Sequence, residues 1–512
     1  MTLVFSPSEW APALPSPSTL LAILPLLLFL THALLSTIYN LHFHPLRSYP
    51  GPLLWRGTPL GKISAQLRGD LTNAIHALHI QYGPVVRIAP TELSYISAQA
   101  WRDIYGTSAP KSGGGESTMP NIIYGQSELE MFGARAIFWQ VEGKEHARHR
   151  RVIAEGFGGG KLKGYESIVG GYVDMLVGKL KERCCGQGGK QHEQAVVDLG
   201  AWLSFFSFDV IGDLVFGESF GCLERGAMHP WMRFIFGNLR AMMYDQIISA
   251  MGQFGVLLRR WVPEALKAQA LAHVENTREW VRRAVMEERG LVTHFGEALS
   301  FDEVTANANL LVVAGSETVA TQLPVVGYYV MSDLEVWTRV RDEVRGAFEK
   351  EEEINVAAVS AKLPYLLAVL NEALRIHTPV PVGIHKLVPE GGTIIDGQWV
   401  PGGTDVTLHQ WSAFRSPVHW RDAESFRPER WLGDERYAGD NRDVFQPFHF
   451  GPRNCIGRGL AHMEARLVWA KLIWNFDMEL EPESANWAAQ KTWILYEKGP
   501  LLARLTPVVP RR

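Results

Sequence analysis

Residues 448–457 read FHFGPRNCIG, and they set Cys455 in a short loop with Gly451, Gly457, Arg453 and Phe448 around it. Downstream, Leu460, Met463, Leu467, Ala470 and Trp474 recur at steps of three and four, the stripe of a helix that begins close to Gly459. Cys455 therefore precedes a helix N-terminus, where the dipole and unpaired N–H groups favour a thiolate. The glycines let the backbone turn tightly and approach a flat partner, beneath which Phe448 can pack. Taken alone, a cysteine in a glycine-rich loop is more often structural or a reactive thiol.

The chain around this loop has 512 residues, 46% of them hydrophobic, and a formal net charge of −4. It can bury a large core, and it lacks the basic balance that nucleic-acid binding requires. After the first fifty residues no low-complexity linker or charge block divides it, so one globular unit is expected over 53–512. The four cysteines, Cys184, Cys185, Cys222 and Cys455, show neither zinc-site pairing nor the density of a disulfide scaffold, which fits a reducing compartment. Cys184 and Cys185 fall in the polar stretch KERCCGQGGKQHEQ and read as surface-loop thiols; Cys222 reads as an unligated thiol too.

From Leu20 to Ile38 the sequence LLAILPLLLFLTHALLSTI carries no formal charge beyond an ionised His32. As a helix it would span ~28 Å, close to a bilayer core. It reads as a transmembrane anchor at 20–38; the competing signal peptide lacks a preceding Lys or Arg and a clear small-residue cleavage site. Glu9 precedes the span, whereas Arg47, Arg56, Lys62 and Arg68 follow it, so the positive-inside rule leaves 1–19 on the lumenal side and the main body in the cytosol. Pro45, Pro50 and Pro52 around Gly51 make 39–52 a stiff, non-helical hinge.

Most of the remainder has helical spacing. Strand signals are confined to GPVVRIAPTELSYIS, broken at Pro90, to GGTIIDGQWVPGGTDVTL with a hairpin at Asp396-Gly397, and to the C-terminal KTWILYEKGPLLARLTPV. The expected architecture is mainly α with minor β.

A thiolate in the Cys455 loop wants a cation. With no second Cys or clustered His nearby, that cation should bring its other ligands from elsewhere, as heme iron does with its four pyrrole nitrogens. At this point the sequence resembles the cytochromes P-450, the heme-thiolate monooxygenases. Their signature, Phe-x-x-Gly-x-Arg-x-Cys-x-Gly, is filled at each fixed place by Phe448, Gly451, Arg453, Cys455 and Gly457. The resemblance runs from about Asn40 to the C-terminus and looks closest to fungal microsomal members.

Three further stretches carry it. Glu372 and Arg375 stand three apart on a helix, which alone would be an ordinary ion pair. They look like the family's Glu-x-x-Arg because FRPERW follows and supplies Arg430, the third member of a cluster that braces the cysteine loop. In NANLLVVAGSETVATQ, polar groups interrupt a helix that is otherwise apolar all round. Ser and Thr there can bond back to the preceding turn. The resemblance implies that Ala314 and Gly315 make room for dioxygen, and that Glu317 and Thr318 manage protons. Val319 stands where many relatives have a second hydroxyl residue. In EGKEHARHRRVIAEGF, His146 and Arg150 are one helical turn apart and can share an anion, while Arg148 and Arg151 read as a solvated basic face. The resemblance makes His146 and Arg150 ligands of the heme propionates, with Arg453 helping. Many relatives have an arginine where this chain has His385 and Lys386; Lys cannot make the bidentate contact of a guanidinium, so the resemblance makes Lys386 only a candidate propionate ligand.

The implied cofactor is heme b with an axial thiolate from Cys455, and the implied partners are O2, an apolar small molecule and an NADPH-cytochrome reductase. No glycine fingerprint for a nucleotide follows a strand, so electrons are expected from that separate reductase, docking beside Arg148, Arg151 and Arg458. The implied setting is the endoplasmic reticulum membrane, crossed once, and the implied substrates are fungal secondary metabolites, terpenoid or polyketide. Substrate is expected near Thr378 to Ile384 and near Ile494 and Leu495; FIFGNLRAMMYDQIISAMGQFG resembles a lid over it, though its Met and aromatic residues suit core packing or membrane contact equally well. Two rival functions are a heme-thiolate isomerase or dehydratase, disfavoured by Glu317 and Thr318, and a heme or sterol binding protein without turnover.

Overall fold

A computed structural model describes residues 17–106, 132–141, 143–184, 194–231, 233, 243–244, 247–248, 263–493 and 495–508. Cys185, Ile494, residues 1–16 and most of FIFGNLRAMMYDQIISAMGQFG lie outside the described residues.

The chain enters through helices α1 (Pro17–His42), α2 (Leu53–Gly57) and α3 (Leu60–Leu67). Strands β1 (Val85–Ala89) and β2 (Glu92–Tyr95) then lead into α4 (Ala98–Tyr105). Next come α5 (Gly143–Gly156), α6 (Gly159–Arg183), β3 (Ala195–Asp198) and α7 (Leu199–Phe216). The middle of the chain supplies α8 (Phe301–Ser332) and α9 (Pro364–Ile376). Short strands follow: β4 (Lys386–Leu387), β5 (Thr393–Ile395), β6 (Gln398–Val400) and β7 (Asp405–Leu408). After α10 (Arg458–Asn475) the chain closes with β8 (Phe476–Leu480), β9 (Lys491–Thr492), β10 (Tyr496–Glu497) and β11 (Leu502–Pro507).

Helices α7 and α8 are long and apolar enough to cross a bilayer, yet 78% and 67% of their most apolar stretches are buried within the fold. A helix apolar on every side needs such cover, and α8 obtains it by packing against α7, α9 and α10. Its start is fixed by a capping box: Ser300 Oγ accepts from the Glu303 N–H, and the Glu303 carboxylate accepts from the Ser300 N–H. On α10 the sequence stripe is realised, with Leu460, Met463, Leu467 and Ala470 in the core.

The strands expected from the sequence are present. Pro90 separates β1 from β2, and these join β7 and β4 in one sheet of order β1-β2-β7-β4, in which β2 and β7 run parallel. Strands β5 and β6 form the hairpin at Asp396 and Gly397, whose φ values of 51° and 76° suit a tight primed turn. A second sheet of order β3-β11-β8 ties the C-terminus to the core.

Two expectations are corrected. The proline-rich hinge is not free of helix: α1 runs on to His42, and Pro45–Ser48 makes a 3-10 turn with Leu46 fully buried. The Arg87 guanidinium holds this bend from inside, donating to the carbonyls of Asn40 (2.9 Å), Leu46 (3.3 Å) and Pro90 (3.0 Å). Cys184 is not a surface thiol either. It caps α6 in a buried position, 3.7 Å from the carbonyl of Leu505, because β11 covers that helix end.

Candidate functional site

The cysteine loop is fastened to α4. Gly451 adopts φ +77°, and a Cβ there would overlap the carbonyl oxygen of Tyr105. His449, also left-handed at φ 65°, sets its ring against Tyr105 (4.3 Å) and Trp101 (5.1 Å). The Cys455 N–H donates to the Phe448 carbonyl at 2.9 Å and closes the loop. Gly459 lacks a side chain because Leu162 of α6 lies within 2.6 Å of where its Cβ would stand. Gly457 differs: the nearest atom to its Cβ position is the Cys455 Sγ, 3.9 Å away. Open space therefore adjoins the thiol.

Cys184 and Cys222 are buried, whereas Cys455 keeps accessible surface amid half-buried neighbours. Burial pushes its thiol up, opposed by the backbone N–H of Gly457, the charge of Arg150, and the N–H and charge of Arg458. At Cys222 burial and then the charge of Asp209 outweigh the opposing His229 backbone bond and Arg225 charge, and push the thiol up to about 12.

Helix α5 delivers its cationic face to the same loop. Arg150 donates to the carbonyl and the side-chain oxygen of Asn454, at 2.8 and 2.5 Å, and His146 is buried on the same face. Arg453 donates to the Gln140 carbonyl at 2.7 Å. Arg151 is exposed, as is Arg458, but Arg148 is engaged by Glu145 and Glu303. His149, which the sequence reading passed over, is buried between Asn307 (3.1 Å) and Glu303 (3.3 Å). Lys386 is buried on β4. His385 beside it lies 2.9 Å from Asp405 and 3.7 Å from Glu92.

Glu372, Arg375 and Arg430 meet as the sequence implied, all fully buried. Arg375 grips both Glu372 oxygens (2.9 and 2.8 Å), and Arg430 Nε adds a third bond at 3.0 Å. Glu372 also accepts from the Trp431 indole (2.9 Å) and the Arg427 N–H (2.8 Å), so its lone pairs are filled. Burial would raise this carboxyl, but Arg375 and then Arg430 hold it below its ordinary value. Asp440 completes the cluster on Arg430, a partner hidden from the sequence because nothing local marks it.

On α8 the hydroxyls of Ser316 and Thr318 donate to the carbonyls of Val312 (2.5 Å) and Ala314 (2.8 Å). Gly315 faces α7, where a Cβ would come within 2.6 Å of Ile211. Ala314 keeps accessible surface midway along this largely buried helix, and Val380 does so beyond α9. Glu317, on the buried side, pairs with Lys498 at 2.6 Å. Of the other expected substrate contacts, Thr378 is buried and Ile384 and Leu495 are half-buried.

One accessible thiol with N–H donors, open space beside it, and a rim of Arg and Lys suits a flat, anionic metal macrocycle, so the residues fit heme. The mainly helical fold with this loop defines a heme-thiolate protein. The family model for cytochrome P450 matches residues 48–504, and the chain belongs to that family. It is 38% identical to cytochrome P450 monooxygenase astA of Talaromyces wortmannii, over 94% of this chain and 96% of the relative. It is likewise 38% identical to cytochrome P450 monooxygenase tpeC of Talaromyces stipitatus, over 95% of both. An averantin hydroxylase of Dothistroma septosporum is 36% identical over 93% of this chain and 89% of the relative. The chain is a heme-dependent monooxygenase, and its cofactor is heme with an axial cysteine thiolate.

Proposed function

We propose that this protein inserts one oxygen atom from O2 into an apolar secondary metabolite, terpenoid or polyketide, using electrons that an NADPH-cytochrome reductase delivers. The observation that carries this reading is the accessible Cys455 thiol at the head of α10. Cys455 supplies the axial thiolate. Arg150, Arg453 and His146 would hold the propionates, with Lys386 as a further candidate, and Phe448 would pack beneath the ring. Heme bound there supplies O2 activation. The residues of the chain bind, orient and protonate: Glu317 and Thr318 handle protons, Ala314 leaves room over the heme, and Gly315 lets α8 sit close on α7. Glu372, Arg375 and Arg430 brace the loop.

Half-buried Leu310, Leu311 and Val313 on α8, with exposed Val380, offer an apolar wall to the substrate. Averantin hydroxylation by a relative is consistent with a compound of that kind. Exposed Arg151 and Arg458 receive the reductase; Arg148, ion-paired with α8, does so less readily. Residues 20–38 within α1 anchor the catalytic domain, 53–512, on the cytosolic face of the endoplasmic reticulum, with 39–52 as the docked hinge and 1–19 lumenal.

Two measurements test this. Comparing metabolites of a host with and without the gene, under labelled O2, is expected to reveal one labelled oxygen in the product; unlabelled product would overturn insertion. Cys455→Ala is expected to abolish the thiolate-type spectrum of the reduced carbon monoxide complex, and an unchanged spectrum would remove the ligand assignment.

A further inference from the structure

Strands β2 and β7 run parallel with Glu92 opposite Asp405, so two carboxylates share one face of the sheet. Like charges placed directly opposite repel, and here both are buried, Glu92 to 4% exposure. Two basic side chains approach them. Lys62 of α3 pairs with Glu92 Oε2, and His385, just ahead of β4, turns its Nδ1 between the two acids. That nitrogen lies 2.9 and 3.1 Å from the Asp405 oxygens and 3.7 Å from Glu92 Oε1. An ionised carboxylate only accepts, so the Asp405 contact puts a hydrogen on Nδ1.

Glu92 Oε1 is left over. It is buried without a hydrogen-bond partner, although an acceptor taken from water needs one. One imidazole nitrogen and two carboxylate oxygens, all within 4.8 Å of one another, form a donor set for a small divalent ion. In a tetrahedral zinc site, neighbouring ligand atoms stand about 3.3 Å apart. The separations of 2.9 and 3.7 Å from Nδ1 bracket that spacing. The His385 side chain is 23% exposed, which leaves the ion a way in.

A second trio, Glu145, His149 and Glu303, is as compact but is already filled. There Arg148 pairs with both acids, and a guanidinium keeps its charge, so an ion finds no lone pairs to take. At the first trio an ion has to displace only one hydrogen from an imidazole.

We propose that Glu92, His385 and Asp405 bind one zinc ion through Oε1, Nδ1 and a carboxylate oxygen, with water completing the shell. The Nδ1 hydrogen leaves as a proton, and Lys62 stays on Glu92 Oε2. The ion ties β2 and β7 to the start of β4, the strand that carries Lys386.

The test titrates chelator-treated, heme-loaded protein with zinc chloride alone. The native protein is expected to take up one equivalent that His385→Gln and Asp405→Asn lack, while Glu145→Gln retains it. Zinc should also raise the unfolding midpoint of the native protein and leave that of His385→Gln where it was, because only a ligand bound to the folded state stabilises it. Lys62→Met should bind zinc more tightly, since the nearby ammonium repels the ion. An equivalent that persists in both ligand variants is an adventitious ion only and overturns the site, as does weaker binding by Lys62→Met. Should the ligand variants fail to hold heme, X-ray absorption at the zinc edge of the native protein decides. A nitrogen and oxygen shell with a single imidazole supports the assignment; sulfur or several imidazoles overturns it.

Discussion

At the scale of single residues, buried charges in this protein survive by pairing, and each pairing ties a function to pH. His385 is the sharpest case. Burial alone would lower its pKa, but Asp405 and then Glu92 raise it above the usual value, with Lys62 opposing from beyond Glu92. A folded-state pKa above the unfolded one stabilises the protein fully below about 6.5. That contribution fades as pH rises through the folded value, at about 1.4 kcal/mol per unit of elevation. The unfolding midpoint of the native protein, minus that of His385→Gln, is therefore expected to shrink between slightly acid and alkaline pH. A difference that grows with pH would show that the imidazole is held neutral. His79, lowered chiefly by burial, titrates in the opposite sense in both proteins and cancels in the subtraction.

At the scale of elements, the glycines of the cysteine loop divide by what they touch. Gly451 has a left-handed backbone and no room beside Tyr105, so Gly451→Ala should lose both the loop and the fold around α4, at a cost above ~1 kcal/mol. Gly457 has φ −79° and open space, so Gly457→Ala should keep the fold while crowding the thiol. Circular dichroism melting alongside the heme-to-protein ratio separates the two: the first substitution should lower both, the second only the ratio. Equal losses of stability would place Gly457 in the packing instead. Sequence spacing was enough to foresee α10, the hairpin at Asp396-Gly397, and the Glu372–Arg375 pair, because each depends on residues within one or two turns. The partners it could not supply, Asp440 for Arg430 and Lys498 for Glu317, lie on separate elements. Only the tertiary fold brings them together. His149 was missed for a related reason: in a helix rich in His and Arg, composition does not say which ring turns inward.

At the scale of the whole molecule, α1 presents Leu27, Leu28, Phe29, Leu30, Leu34 and Leu35 to the outside, and Leu53, Leu54, Leu60 and Leu67 extend exposed apolar surface onto α2 and α3. The end of α1 belongs to the globule instead: Asn40 Nδ2 donates to the Gly57 carbonyl at 2.9 Å, and the Asn40 carbonyl accepts from Arg87. The join of α1 to the globule therefore falls inside a continuous helix, near Asn40 and just past the expected 20–38 span, before the prolines. A chain lacking residues 1–38 is expected to keep the thiolate-type carbon monoxide spectrum and to leave membranes on washing with alkaline carbonate, whereas the full chain stays with them. A chain lacking 1–42 should lose stability as well, since Arg87 then keeps only the Leu46 and Pro90 carbonyls. Full-length protein released by carbonate would overturn the anchor. Truncated protein that still binds neutral vesicles would assign the remaining affinity to the leucines of α2 and α3, whose burial is worth roughly 25 cal/mol for each Å² of apolar surface covered.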